Sequence, residues 1–145
     1  MLIDKAVDNF FVNMIGFKVK KQSDLFYDRL FISNIFLSYD SKDISYDIIF
    51  QKELLEDVAK VMFMEDVSDR ESLIDLNNEV ANLIIGNLKV LLSDSLNISD
   101  DIELSTPRFV GEVSIKMRKK YDKLYNYLIN GYYFAVGEEV KVKAL

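Results

Sequence analysis

DLNNEVANLIIGN, residues 75–87, carries two patterns on one segment. With its flanks, its apolar residues place Leu73, Leu76, Val80, Leu83, Ile84 and Leu91 at the spacing of a helix with one buried face. Its polar residues keep the same beat. Asp75, Glu79, Asn82 and Gly86 follow one another at intervals of four, three and four, which at about 3.6 residues per turn sets all four on one stripe. The periodicity predicts a helix from about 70 to 95, capped by Ser68 or Asp69, with Glu71 or Ser72 in its first turn. Read alone, the Asp75, Glu79, Asn82 stripe is most simply the wet side of that helix. One detail points the other way. Asparagine is a middling helix former, yet Asn77, Asn78, Asn82 and Asn87 stand where Glu, Lys or Gln would serve a solvated face better.

Upstream, Leu2, Ile3, Ala6, Val7, Phe10, Phe11 and Met14 mark a helix over 2–15, with Gly16 as its stop. FKVKK (17–21), LFISNIFLSYD (30–40) and ISYDIIFQ (44–51) favour strands through aromatic and β-branched content, and the DSKD between the last two reads as a hairpin turn. KELLEDVAKVMFM (52–64) returns to helical spacing through Leu54, Leu55, Val58, Val61 and Met62. Downstream of the long helix, IELSTPRFVGEVS (102–114) reads as strand, with Pro107 marking a strand end, an edge or a bulge. YNYLINGYYFAVGEEVKVK (125–143) reads as a hairpin turned at Asn130 and Gly131. Sequential strands joined by short turns pair antiparallel, and apolar-faced helices must cover them. The expected fold is therefore α+β: a two-layer domain, an antiparallel sheet covered by helices, in one domain spanning 1–145. The remaining sheet face or edge invites a second copy, so a homodimer is expected.

Composition narrows the chemistry. The 145 residues include no cysteine and no histidine, which excludes disulfides, thiolate and imidazole nucleophiles, imidazole bases and zinc sites of the Cys/His type. Any reaction has to run on carboxylates, amides, hydroxyls, Lys or Arg. A net charge of −6 argues against a nucleic-acid surface, and the basic run KMRKK (Lys116–Lys120) is short enough to be a solvated turn or helix end. No window has the long uncharged apolar run of a membrane span, and the acids in MLIDKAVDNFF deny a signal peptide its basic start, so a cytoplasmic location is expected. Ser105 and Thr106 lack a base for a nucleophilic role. The pairs Asp100/Asp101 and Glu138/Glu139 are neighbours that seldom converge on a metal, and read as solvated surface. The aromatic group Tyr125, Tyr127, Tyr132, Tyr133 and Phe134 reads, on an acidic chain, as cross-strand packing or a dimer interface.

The pattern Asp75-x-x-x-Glu79-x-x-Asn82, followed after a loop and strand by Pro107 in LSTP, resembles the signature of the CheC/CheX/FliY family of bacterial chemotaxis phosphatases, and within it the single-motif CheX type. The order of elements is similar over nearly the whole chain. Two departures stand out. The gap from Asn82 to Pro107 is a residue or two longer than in the family, an excess assigned to SDSLNISDD (93–101). No second Glu-x-x-Asn in a matching context is present, as a CheX-like chain working as a homodimer implies.

The resemblance implies a substrate: a phosphorylated CheY-like response regulator, whose aspartyl phosphate is held by the regulator's own Mg²⁺, lysine and hydroxyl group. No cofactor or metal of this chain's own is implied. Glu79 and Asn82 would be the catalytic residues, Asn82 accepting a hydrogen bond from the attacking water and Glu79 bonding the regulator's lysine. Asp75 would give a peripheral docking contact. Gly86, read from the stripe itself, either lets the partner approach closely or reflects tight internal packing. A non-catalytic dimeric adaptor that binds a response regulator is the alternative.

Overall fold

The computed structural model describes residues 1–22, 29–97, 101–113 and 121–142. Along them run α1 (Leu2–Asp8), a π-helical continuation (Asn9–Ile15), β1 (Val19–Lys21), β2 (Leu30–Tyr39), β3 (Lys42–Gln51), α2 (Lys52–Phe63), α3 (Arg70–Leu96), β4 (Glu103–Leu104), β5 (Arg108–Val113), β6 (Lys123–Ile129) and β7 (Tyr132–Val142). The sequence expectation of helix, strands, two helices and strands is met. The basic run at 116–120 lies outside the described residues.

Two tight turns set the sheet. Asp40 and Ser41 have φ of 52° and 57°, and Asn130 and Gly131 have φ of 50° and 84°. Positive φ at both central residues is the hairpin turn whose twist matches paired strands. Tyr39 therefore pairs with Lys42 and Ile129 with Tyr132, and each hairpin zips from there. The strands order as β1-β6-β7-β3-β2-β4, with β5 also on β2, and every pairing is antiparallel. β3 sits in the middle and is buried from Ile44 to Gln51. Both its faces are covered, which is why its sequence alternates so loosely.

One face of the sheet carries Phe31, Ile35, Leu37, Ile48, Phe50, Phe134 and Val136 into the main core under the helices. Phe11 packs against Phe50 and Phe134 with ring centroids 5.9 and 4.8 Å away, and Phe50 meets Phe134 at 4.7 Å. These are tilted and edge-on contacts that bury large apolar area in favourable geometry. The other face is partly covered by the chain itself. Leu30, Ile32, Ile49, Tyr133 and Ala135 form a second, smaller buried cluster. Beside it the buried Asp47 carboxylate accepts hydrogen bonds from Asn34 Nδ2 (2.8 Å) and the Tyr121 hydroxyl (2.7 Å). Gly137 makes room for this, since a Cβ there would run into the Tyr121 ring.

The first helix departs from expectation in pitch. Ile3, Ala6, Val7, Phe10 and Phe11 are buried as their spacing implies, but Met14 is 57% exposed. The helix stops at Gly16 with φ 89° and widens from Asn9 to a π-helix, which shifts its last turn off the apolar beat. The tie to α3 sits where the widening begins, Asn9 Nδ2 donating to Asn87 Oδ1 at 2.8 Å. In α2 Leu54, Leu55, Val58 and Ala59 are buried. Val61, expected in the core, is 43% exposed.

Asp69 starts α3, its carboxylate accepting from the Ser72 N–H at 3.0 Å. The Ser72 side-chain and backbone hydrogen bonds hold the Asp69 carboxyl below its usual range. A lowered folded-state pKa contributes stability above the unfolded value, about 3.9, and that contribution is lost as pH falls through the folded one. Asp69→Asn keeps a good cap without the charge. In thermal melts from neutral to acid pH it is expected to match wild type near neutrality and to lose less stability below about pH 4.

Candidate functional site

The site begins where Pro107 breaks the sheet. Leu104 pairs with Leu37 of β2, and Arg108 pairs with Asn34. Between them Ser105 keeps the ladder going twice over: its N–H donates to the Phe36 carbonyl (3.0 Å) and its hydroxyl accepts from the Phe36 N–H (2.8 Å). Thr106 and Pro107 then stand opposite the single residue Ile35. Pro107 has no N–H to give the ladder, so the chain bulges outward at this point. The expected strand 102–114 is thus two strands on one partner, joined by the bulge that Pro107 signals. A second irregularity follows at Ile32/Ser33, where Val110 is the extra residue and is 54% exposed.

The bulge faces α3, which lies against β2. The Ser33 hydroxyl of β2 donates to Asn78 Oδ1 at 2.7 Å and fixes the helix over the sheet at this level. Between helix and bulge opens a cleft of about 480 Å³, lined on one side by Asp75, Asn78, Glu79 and Asn82 and on the other by Leu104, Ser105, Thr106 and Pro107. Two motifs twenty-five residues apart in sequence thus form opposite walls of one groove. Asp75, Glu79 and Asn82 are exposed, and none has a side-chain hydrogen bond or ion pair among the described residues. Asn78 and Asn87 of the same helix are committed within the protein, to Ser33 and Asn9.

The four asparagines of α3 therefore divide. Asn77, counted with the others as a misfit on a wet face, is fully buried, and neither its Nδ2 nor its Oδ1 finds a hydrogen-bond partner. Only Asn82 is solvent-exposed and uncommitted. The buried face of the helix is Leu73, Leu76, Asn77, Val80, Ala81, Ile84, Ile85 and Leu88, while Leu83 and Leu91 are only half-buried against it. The helix also continues through Ser93–Leu96 and ends at Asn97 with φ 54°, so SDSL belongs to α3 and not to the loop to which the longer gap was assigned. Asn78, Leu104, Ser105 and Thr106 are cleft residues that the motif reading missed. Adjacency to Pro107 was the available signal for the last three.

Gly86 does not line the cleft. A Cβ at this position would meet Leu104 Cδ2 at 3.8 Å, an ordinary van der Waals contact, so internal packing does not require glycine here. Gly86→Ala is expected to stabilise the protein by up to about 1 kcal/mol through helix propensity. Denaturant titration measures that gain, and regulator affinity of the same variant shows whether the missing side chain serves a partner.

Chemically the cleft offers two carboxylates, two amides and two hydroxyls, with no Lys or Arg in its lining. A free phosphate would meet two negative charges and no cation. A protein surface that brings its own cations would meet complementary charge. Among the described residues no group of three or more His, Cys, Asp or Glu side chains converges to hold a metal, and no helix is long and apolar enough to cross a membrane.

An antiparallel sheet backed by a long helix that presents an acid-and-amide stripe to a proline bulge defines the class. The model of the family described as chemotaxis phosphatase CheX matches residues 34–129; this covers most of the chain, and the chain belongs to that family. Solved structures agree on the fold. Chemotaxis protein CheX from Vibrio vulnificus superposes with a TM-score of 0.79 at 17% identity, covering 96% of this chain and 93% of that one. A chemotaxis protein CheX from Desulfovibrio desulfuricans gives a TM-score of 0.71 at 18% identity, covering 97% of both chains. A CheX from Borrelia burgdorferi, solved as a CheX-CheY-BeF3-Mg²⁺ complex, gives 0.62 at 15% identity, covering 97% and 93%. No curated protein sequence matches the chain at a significant level.

Proposed function

We propose that this chain, as a single CheX-like domain over 1–145, hydrolyses the aspartyl phosphate of a CheY-type response regulator in the cytoplasm by inserting the Glu79–Asn82 face of α3 into the regulator's active site. The observation that carries this reading is the convergence of the uncommitted Glu79 and Asn82 with the Thr106–Pro107 bulge in one open, cation-free cleft. Family membership and the CheX–CheY complex of the Borrelia relative supply the kind of partner.

An acyl phosphate on a regulator already sits among cations, so little remains for a phosphatase except to place the nucleophile. Asn82 suits that task. Its Oδ1 accepts a hydrogen bond from water without needing to ionise, and its exposure leaves it free to reach the phosphorus. The regulator's Mg²⁺ supplies charge neutralisation at the phosphoryl oxygens. Glu79, one turn earlier on the stripe, bonds the regulator's lysine and sets the depth and register of insertion. Asp75, a further turn back, contacts the rim of the partner, and Gly86 keeps the far end of the stripe low. Two copies of the chain, each with one motif helix, form the working homodimer.

The test is phosphate decay of a cognate regulator in Mg²⁺, with and without a catalytic amount of this protein. Accelerated decay is expected. Tight binding without acceleration would assign the chain to the adaptor role instead.

A further inference from the structure

The motif helix has a second groove on its other flank. α2 ends at Met64, which takes the left-handed conformation with φ 58°, and the chain turns back toward the Asp69 cap of α3. Between the end of α2 and the first turns of α3 lies a groove of about 630 Å³, walled by Met62, Phe63 and Val67 and bounded on the far side by Leu76, Asp75 and Glu79. Asp75 and Glu79 line this groove and the motif cleft alike. They form a ridge between two depressions, one polar and one largely apolar.

The apolar side is unusually open. Val61 is 43% exposed, Phe63 49% and Met64 89%, so three apolar side chains stand open at the end of α2 beside the half-buried Met62. Scattered exposed apolar residues need no explanation, but Met62, Phe63, Val67 and Leu76 share one groove beside a polar site, and such a group marks an interaction surface. Methionine and phenylalanine suit a contact that must adapt and anchor at once. The surroundings are acidic. Glu65, Asp66, Asp69, Glu71, Asp75 and Glu79 are all exposed. The two nearby cations are engaged: Lys60 lies 3.7 Å from Asp66, and Arg70 turns away to Glu112 (3.6 Å) and the Phe109 ring.

We infer that this groove is a second docking subsite for the same phosphorylated regulator, receiving an apolar side chain flanked by a lysine or arginine. The assignment rests on the phosphatase reading for the identity of the partner. Continuity through the shared Asp75–Glu79 ridge makes the occupant part of the molecule that enters the cleft, and the acidic rim sets the sign of its charge. The ridge would then be gripped on both flanks, which fixes its rotation about the helix axis as well as its depth.

The experiment compares wild type, Phe63→Ser and Glu65→Lys. It follows hydrolysis of the phosphorylated regulator and binding of the same regulator loaded with beryllofluoride and Mg²⁺. Phe63→Ser is expected to raise KM and Kd about tenfold while kcat stays within about twofold, because the groove binds and does not react. Glu65→Lys is expected to raise both about threefold, with the effect shrinking in high salt. Both side chains are exposed, and an unchanged melting temperature confirms that each variant folds. Wild-type turnover with unchanged KM and Kd in Phe63→Ser overturns the groove and leaves the phosphatase reading intact. If wild type binds without turnover, the Phe63→Ser Kd alone decides: weakening supports the groove and parity overturns it. Absence of any binding by wild type overturns both.

Discussion

Asn82→Ala is expected to lower kcat for regulator dephosphorylation by about 10²- to 10³-fold and to leave KM and Kd nearly unchanged, the loss that follows when one well-placed group is removed from a site that works by positioning. The expectation follows from what Asn82 does not do in the free protein. It is exposed and bonded to nothing among the described residues, so truncation removes no internal contact and creates no cavity. Stability should therefore be unaffected, and a thermal melt separates a catalytic loss from a folding one. Two further substitutions sharpen the result. Asn82→Gln keeps the amide and moves it by one methylene, so partial activity is expected, in line with the steep dependence of such steps on placement. Asn82→Asp keeps the size and adds a charge next to a phosphoryl group, and should be as slow as alanine. Equal activity of all three would remove water positioning from the mechanism.

Much of this fold was legible because the signals were local. Asp40-Ser41 and Asn130-Gly131 fall at the turns and carry positive φ, a requirement that short polar residues and glycine meet at low cost. The Asp69 cap, the Gly16 stop and the break at Pro107 are likewise one-residue signals with mechanical causes. What escaped is what depends on neighbours remote in sequence. Asn77 and Asn82 are the same residue type on the same helix five positions apart, yet one is fully buried and the other open to solvent. Composition cannot separate them, because only the packing of α3 against β2, α1 and α2 decides which face is covered. Likewise Ser105 looks like a stray hydroxyl until its oxygen is seen to replace a ladder acceptor for Phe36. The motif residues were readable as a stripe, but the opposite wall at Thr106 and Pro107 and the second groove at Phe63 are products of tertiary structure.

Glu79→Ala should act on binding where Asn82→Ala acts on the chemical step. Glu79 tops the ridge between the two grooves and has no ion-pair partner among the described residues, so its carboxylate is available to a cation that arrives with the regulator. Once docking excludes water from the ridge, a charge-assisted bond to the regulator's lysine gains strength, and truncating one member of such a pair costs about 2–3 kcal/mol. At about 1.4 kcal/mol per factor of ten, KM and Kd are expected to rise by about 30- to 140-fold. Glu79→Gln preserves shape and hydrogen bonding while deleting the charge, so its deficit isolates the ionic part and should fall between wild type and alanine. A double-mutant cycle against an alanine at the regulator's active-site lysine supplies the decisive comparison. If the two side chains meet, the second substitution costs little once the first has been made. If Glu79 merely faces water, the two losses add and Glu79→Ala alone changes Kd by less than about threefold, the modest size expected of a screened surface charge. The same cycle with Asp75→Ala in place of Glu79→Ala should show weaker coupling, because Asp75 sits one helical turn farther from Asn82 and from the phosphorus that Asn82 would face in the proposed complex. A graded loss along the stripe, deepest at Asn82 in kcat and at Glu79 in Kd, is the pattern that an inserted helix produces and that a loosely attached adaptor surface does not.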